Sequence, residues 1–230
     1  HDYLGKPGKP DDMKWKEYYK RTFLNLYGPP ISAGDNHYGI IDDNGKLWMG
    51  GDNSDGQRGI KESSLNELSL NELNELSLGS NVIQINCYGT STGVVTKNGN
   101  AYIFGTVVWR KSNINMIEVE TNKLINSNIV KVESNKLIKF ISVIDRPRFG
   151  VIYIDGSIGI YLYGDLSWVI NDIDAKYIHI PEDREYYTIA AIDKKGNLFI
   201  YYYHKDETLI TKTHVDIPEP ISIVKFNDSF

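Results

Sequence analysis

The chain has 230 residues, of which 41% are hydrophobic, 12% aromatic and 24% charged, and this content is ample for a folded core. The formal net charge of −5 argues against a surface that holds nucleic acid through its phosphates, so we expect no nucleic-acid partner. The single cysteine, Cys87, cannot form an internal disulfide, and no run of about 18 apolar residues predicts a membrane span.

Residues 1–28 are predicted to form an arm followed by an amphipathic helix. The first ten residues are rich in Gly, Pro and Lys, which is typical of a linker. From Asp11 to Leu26, aromatic and apolar residues recur at helical spacing, and Trp15 and Tyr19 are candidate partner contacts on that face. The alternative is a helix that docks this face on the rest of the chain. Gly28-Pro29-Pro30 would end the helix, because proline has no N–H to donate.

Hairpins that turn at a glycine organise the rest of the chain. In Ser32 to Gly59, two apolar runs flank Asn44-Gly45, a pair that adopts positive φ at little steric cost and joins two strands in a β-hairpin. Similar hairpins turn at Gly99, Gly156 and Gly196. The predicted core residues of the first hairpin are Ile40, Leu47 and Trp48.

The first hairpin unit resembles the repeat of the regulator-of-chromosome-condensation family. It has a histidine, an apolar strand, a turn glycine, a strand that ends aromatic-x-Gly, and then Asn-x-x-Gly-Gln-x-Gly. The second and third units keep the turn and a strand-ending glycine, and the fourth keeps little beyond Gly196. The residues that match the repeat, and that the resemblance implies are structural, are His37, Gly45, Trp48, Gly50, Gly56, Gln57, Gly59, Gly99, Gly105, Gly156, Gly164 and Gly196.

The resemblance implies an all-β fold of propeller blades, each an antiparallel sheet of up to four strands. Because the family closes a ring of seven blades, we expect the open edges to be capped, to be completed by residues beyond this sequence, or to pair with another chain, which includes self-assembly. After the N-terminal part, residues 29–230 are predicted to form about four blades and a fragment, at residues 30–80, 81–128, 129–176, 177–217 and 218–230.

Segments between the hairpins have less regular patterns. Residues 61–79 expand the unit Leu-Asn-Glu-Leu, and their leucine spacing predicts a loop or short helix over the blade edge. Residues 116–119 and 129–132 are predicted outer strands. Arg146 and Arg148 flank a proline where the family's histidine would lie, and they are either a ligand contact or part of a solvated turn.

The sequence does not predict a catalytic site. Its five histidines lack zinc spacing, nucleotide-binding and hydrolase motifs are missing, and no nucleophile pairs with His37. We therefore predict no catalytic residue, no metal site and no cofactor. Apolar alternation around Cys87 predicts a buried, inert thiol. Tyr201 and Tyr203 share one face of a predicted strand as packing residues, with base stacking or peptide binding as the alternative.

These patterns predict a noncatalytic scaffold that presents loops from several blades to a protein partner. Trp15 to Phe23 is also similar to the stretch that follows an F-box, which implies a substrate-receptor module with a ubiquitin-ligase adaptor as partner. One alternative is a structural component of a viral particle, since prominent Asn, Ile, Lys and Tyr are typical of AT-rich genomes such as those of large DNA viruses. The resemblance implies another alternative, a nucleotide-exchange factor for a small GTPase that docks on chromatin. We expect an intracellular location, cytoplasmic or nuclear, an infected host cell and a virion included.

Overall fold

A computed structural model of the chain describes residues 30–60, 73–105, 129–144, 148–162, 165–181, 186–204 and 210–216. Within these ranges the fold is all-β, and sixteen strands form four antiparallel four-stranded sheets, each of which is one propeller blade. The predicted fold class is confirmed. The predicted N-terminal arm and helix, with Trp15 and Tyr19, and the predicted fragment at 218–230 lie outside the described residues.

Each blade is a meander in which consecutive strands pair. Blade 1 contains Ile31–Ala33 (β1), His37–Ile41 (β2), Leu47–Gly51 (β3) and Asn74–Leu76 (β4). Blade 2 contains Val82–Tyr88 (β5), Ser91–Thr96 (β6), Ala101–Gly105 (β7) and Val130–Lys131 (β8). Blade 3 contains Ile138–Val143 (β9), Arg148–Tyr153 (β10), Ile158–Leu162 (β11) and Asp165–Ile170 (β12). Blade 4 contains Ala175–His179 (β13), Tyr186–Asp193 (β14), Leu198–His204 (β15) and Ile210–Val215 (β16).

The fourth strand of blade 1 corrects one prediction. The described end of the Leu-Asn-Glu-Leu segment is neither a loop nor a helix, because Asn74–Leu76 pairs antiparallel with β3. Leu76 lies opposite Leu47, and both side chains are buried in the same cluster. Burial of alternate leucines on a sheet edge therefore overrides a spacing that fits no regular element.

The boundaries between later blades also differ from the prediction. Val130 pairs with Ile103, so the sheet of blade 2 extends past residue 128 to Lys131. This pairing confirms the outer strand predicted at 129–132, whereas the one predicted at 116–119 lies outside the described residues. Blade 4 begins at Ala175, slightly before the predicted residue 177.

The four hairpin turns are equivalent. Gly45, Gly99, Gly156 and Gly196 have φ angles of 78°, 77°, 90° and 91°, in the left-handed region that favours glycine. Each glycine N–H donates to the carbonyl oxygen three residues earlier, at 2.9 to 3.1 Å. The predicted glycine-turned hairpins are thus confirmed at all four positions.

The blades pack face to face, and we call the contact between one blade and the next a seam. The apolar centre of each seam joins the second and third strands of one blade to the first strand of the next. Leu47 is buried in the first seam, as predicted. Ile40 and Trp48 are only half-buried, because alternation places them on the opposite face of the hairpin, where they lie across from each other. The seams pair Ile41, Leu47 and Met49 with Val82, Ile85 and Cys87; Val95, Ala101 and Ile103 with Ile138, Ile141 and Val143; and Ile152, Ile158 and Ile160 with Ala175, Ile178 and Ile180.

Candidate functional site: the seams and the turn surface

A buried chain of hydrogen bonds crosses the first seam. His37, in β2, is 2% exposed, and its Nε2 lies 2.8 Å from the Thr92 hydroxyl in β6 of the next blade. That hydroxyl donates its single proton to the Gln57 carbonyl at 2.8 Å. His37 Nε2 must therefore carry a proton and donate it to Thr92. This polar chain links the first blade, its loop and the second blade.

The environment of His37 suits a neutral imidazole. Burial lowers its pKa below the ordinary 6.5, against smaller opposing effects of the Ser91 backbone and of Asp35 and Asp52. Gly34 lies flat against the ring, where a Cβ would collide with it. Since Nε2 is protonated and Thr92 donates to a carbonyl, the histidine does not act as a base toward this hydroxyl.

Cys87 lies in the same region and matches its prediction. The side chain is buried, and burial raises the pKa of the thiol to about 12. The Thr92 hydroxyl is its side-chain neighbour at 3.9 Å. The predicted burial of the thiol is confirmed, and its inertness stays a prediction.

The loop after β3 is held by its own side chains. The Gln57 side chain is fully buried, donates to Asp52 Oδ2 at 3.2 Å and accepts the Asp55 N–H at 2.8 Å. Arg58 is also fully buried, and its guanidinium donates to the Gly51 carbonyl at 3.0 Å. In the described part of the chain, no three His, Cys, Asp or Glu side chains form a group that could hold a metal ion.

The repeat residues predicted from sequence occupy two ends of the blades. His37, Gln57 and the loop glycines Gly56 and Gly59 lie at the loop end of blade 1, where His37 pairs across the hairpin with Gly51. Gly105 holds the corresponding place in blade 2, opposite Ser91. The turn glycines lie at the other end. Gly50 packs flat against the Tyr38 ring, and the half-buried Trp48 donates from Nε1 to Asp42 at 3.1 Å.

Of the two arginines predicted as a contact or a turn, Arg146 and Arg148, only Arg148 lies within the described residues. Arg148 is the first residue of β10 and is 7% exposed, so its interpretation as part of a solvated turn is wrong, while the ligand contact stays a prediction. It pairs with Leu162 across the sheet, and its side chain is buried. Arg146 and Gly164 lie outside the described residues.

Sequence reasoning missed a glycine stripe that lets the blades approach. Gly39, Gly93 and Gly150 lie six positions before the turn glycines, and a Cβ at each would collide with isoleucine or valine side chains of the next blade. The fourth blade has Ala190 at this position. The constant spacing to the turn glycine is the signal that would have found them.

Sequence reasoning also did not predict the hydrogen bonds that polar side chains of the first strand β5 make with the next blade. Gln84 bonds both the N–H and the C=O of Ile141 in the next blade, at 3.1 and 3.0 Å. Asn86 accepts the Val143 N–H at 2.7 Å. Two side-chain amides in an otherwise apolar strand thus bond the backbone of the next blade, as a neighbouring strand would, across the second seam.

The hairpin turns, together with the residues that enter the next first strand, form what we call the turn surface. Three blades share one backbone hydrogen bond there, from a turn residue to the residue before the first strand of a blade. The pairs are Lys97 to Asn81 at 2.7 Å, Ile154 to Leu137 at 3.0 Å and Lys194 to Asp174 at 3.0 Å.

These equivalent positions carry different chemistry. Lys194 and Asp174 form an ion pair at 2.9 Å. At the same positions in blade 3, Ile154 is 49% exposed and Leu137 is 56% exposed, and we call these two the apolar pair. An exposed ion pair between Lys136 and Asp155, at 2.8 Å, flanks it. One blade therefore presents apolar side chains where its neighbours present polar ones.

The comparisons with known proteins agree with this architecture. The model described as "Regulator of chromosome condensation (RCC1) repeat" matches residues 31–57, which contain the hairpin of blade 1 and its loop to Gln57. No curated protein matches the sequence. Within the described ranges, no helix is long and apolar enough to cross a membrane.

Three solved structures share the fold at low identity. Human WBSCR16 aligns with a TM-score of 0.59 and 15% identity over 81% of this chain and 51% of its own. Yeast RCC1 (Prp20), in its complex with Kap60, aligns with a TM-score of 0.59 and 15% identity over 85% and 50%. Prp20p from Saccharomyces cerevisiae aligns in a second structure with a TM-score of 0.56 and 18% identity over 85% and 51%. The chain spans about half the length of these structures.

The sheets and their seams define the class: the chain is a β-propeller segment built of four-stranded blades. Residues 31–57 of its first blade match the RCC1-repeat model, and the four blades share the fold of about half of the yeast RCC1 (Prp20) propeller. The resemblance inferred from the His37 to Gly59 motif is confirmed.

Proposed function

We propose that this chain is a noncatalytic scaffold that binds a protein partner through the turn surface, with Leu137 and Ile154 at the centre of the contact. The observation that carries the proposal is the apolar pair itself. Half-exposed isoleucine and leucine side chains lie beside each other where the equivalent positions of blade 4 hold an ion pair. Burying each at an interface contributes on the order of 1 to 2 kcal/mol.

The flanking charges suit a protein contact. Lys136 and Asp155 form a polar rim beside the apolar pair, and a rim of this kind around an apolar centre is typical of interfaces between proteins. Propellers with this fold also have protein partners: yeast RCC1 (Prp20) is bound to Kap60 in one structure, and Prp20p has binding properties to Gsp1p and histones. They support a protein partner for this chain without naming it.

The test begins with a photo-crosslinking phenylalanine analogue in place of Ile154, in the full chain. The matched control carries the analogue in place of Lys97, the equivalent turn position of blade 2. We expect a protein that crosslinks from position 154 and not from position 97. That protein is then purified, and its Kd for the unmodified chain is measured.

The double variant Leu137→Asp, Ile154→Lys copies the ion pair of blade 4 onto blade 3. We expect it to bind the identified protein at least about tenfold more weakly, while Asp174→Ala, Lys194→Ala binds within about twofold of the unmodified chain. An unchanged Kd for the first variant, or equal crosslinking from positions 154 and 97, contradicts the proposal.

A further inference from the structure

The three seams share a backbone hydrogen bond that does not depend on side chains. The first residue of each following blade donates its N–H to the carbonyl of the preceding turn glycine. Val82 donates to Gly45 at 2.7 Å, Ile138 to Gly99 at 2.9 Å, and Ala175 to Gly156 at 2.8 Å. Each seam therefore has a fixed register, set by its turn glycine.

Blade 4 presents the same seam face as the other blades. Ala190 pairs with Ile200 and Ile192 with Leu198, which is the register of Gly150 with Ile160 and Ile152 with Ile158 in blade 3. These four residues of blade 4 are 2%, 7%, 0% and 8% exposed. In the described ranges, every residue of their cluster belongs to blade 4 itself. One face of a single sheet reaches such burial only when another element covers it.

We propose that Ile221 to Phe226 covers this face as the first strand of a further blade, with the Ile221 N–H donating to the Gly196 carbonyl. The proposal is independent of the binding function. Counted from the start of the first strands of blades 2, 3 and 4, the first, fourth and sixth positions hold Val82, Ile85 and Cys87; Ile138, Ile141 and Val143; and Ala175, Ile178 and Ile180. Residues 221–226 supply Ile221, Val224 and Phe226 in the same pattern.

The chain length between strands fits this placement. Five residues connect β4 to β5, six connect β8 to β9, and four connect β12 to β13. Five residues separate the end of β16 at Val215 from Ile221. The connection is therefore as long as those that already lead from one blade to the next.

Two compensating residue differences support residues 221–226 as the strand that covers this face. The glycine stripe faces isoleucine at the fourth position of the next first strand, namely Ile85, Ile141 and Ile178, and in two seams it also faces the sixth-position Val143 or Ile180. Blade 4 has the larger Ala190 in place of glycine, and the proposed strand has the smaller Val224 in place of isoleucine. At the fourth position, one methyl group is gained on one side of the proposed seam and lost on the other, which keeps the packed volume at that position.

The first experiment is a double-mutant cycle in the full chain, read by thermal unfolding. Val224→Ile restores the isoleucine of the other seams against Ala190, and we expect the added methyl group to lower the Tm by about 2 to 6 °C. In the Ala190→Gly background the same substitution recreates the Gly–Ile pair of the first three seams, and we expect it to raise the Tm. An equal effect of Val224→Ile in both backgrounds overturns the proposal.

The second experiment needs no variant. Amide hydrogen exchange of the full chain is measured at two concentrations about tenfold apart, with the molar mass determined at each. We expect the Ile221 amide to be protected like those of Val82, Ile138 and Ala175, at both concentrations and in a monomer. A fast Ile221 amide overturns the proposal. So does protection that appears only with a dimer, because it assigns the face to a second copy.

Discussion

The first seam and the third solve the same packing problem with different chemistry. Across the first, His37 donates to Thr92 and Thr92 donates to Gln57, inside an apolar cluster. Across the third, aromatic rings meet: Trp168 and Tyr203 have centroids 4.6 Å apart. Both seams keep the apolar patch and the glycine-turn hydrogen bond. The contact between blades therefore depends on the apolar patch and the glycine-turn hydrogen bond. The chain from His37 through Thr92 to Gln57 is an additional feature of the first seam.

This difference accounts for the short match to the RCC1-repeat model. Its match covers residues 31–57, which hold the histidine and the Gly-Gln loop. Blades 3 and 4 keep the register of the sheet but have Arg148 and Thr188 where blade 1 has His37. The fold thus persists after the sequence signature has faded.

The largest expected effect removes an aromatic ring from the third seam. Tyr203 is fully buried and packs on Trp168. We expect Tyr203→Ala to lower the free energy of unfolding by about 3 to 5 kcal/mol, because it leaves a large cavity. Chemical denaturation measures the loss.

Tyr203→Phe is the control, and its expected sign is opposite. The Tyr203 hydroxyl is buried without a hydrogen-bond partner in the described part of the chain. Removing it should leave stability unchanged or raise it by about 1 kcal/mol. A loss in Tyr203→Phe as large as that in Tyr203→Ala would mean that the hydroxyl, and not the ring, holds the third seam.

The polar chain of the first seam is tested by Thr92→Val. The substitution keeps the shape but leaves the His37 Nε2–H and the Gln57 carbonyl without their partner. We expect a loss of about 2 to 4 kcal/mol in the free energy of unfolding. Thr92→Ser retains the hydroxyl, so its loss should stay below about 1.5 kcal/mol. Equal losses in the two variants would show that the methyl group matters more than the hydrogen bonds.

The pH dependence of the free energy of unfolding tests the first seam, because that seam contains the buried His37. Burial lowers the pKa of His37, so the unfolded chain binds its proton more readily than the folded chain. His37 therefore leaves stability intact above pH 6.5 and reduces it as the pH falls from 6.5 through the lower folded pKa, by at most about 1.4 kcal/mol per pH unit.

The measurement compares the unmodified chain with His37→Gln between about pH 8 and pH 5. Because the other histidines are common to both proteins, the difference between the two curves isolates His37. We expect the variant to lose less stability on acidification. Parallel curves would show that the buried imidazole is not held neutral.

The smallest expected effect lies on the turn surface, outside the seams. Lys194 and Asp174 form an ion pair, but their side chains are 59% and 53% exposed. We expect Lys194→Ala to change the free energy of unfolding by less than about 0.5 kcal/mol, measured by denaturation at low and at high salt. A salt-sensitive loss above about 1 kcal/mol would make the turn surface part of the stabilising framework.

The hairpins and their turns could be predicted from sequence because each turn needs positive φ, and glycine marks it. Gly45, Gly99, Gly156 and Gly196 all show that conformation. Leu47 and Cys87 were also predicted as buried, since apolar alternation gives one face of a strand.

Contacts between blades could not be predicted in the same way. Thr92 bonds His37 over 55 positions, and Gln84 bonds Ile141 over 57 positions, so their partners depend on how sheets stack. Asn74–Leu76 forms a strand because β3 offers an edge, which the leucine spacing alone does not reveal. The exposed apolar pair became visible only when equivalent positions of different blades could be compared.

The hydrogen bond from a first-strand N–H to the turn-glycine carbonyl is made wholly by main-chain atoms. Side chains around a main-chain bond of this kind can therefore change while the bond is kept. The Lys/Asn, Ile/Leu and Lys/Asp combinations at the other main-chain bond of the turn surface illustrate this in three blades. These positions therefore suit protein engineering, because a new pair of recognition side chains could be introduced on one blade while the other blades serve as internal controls.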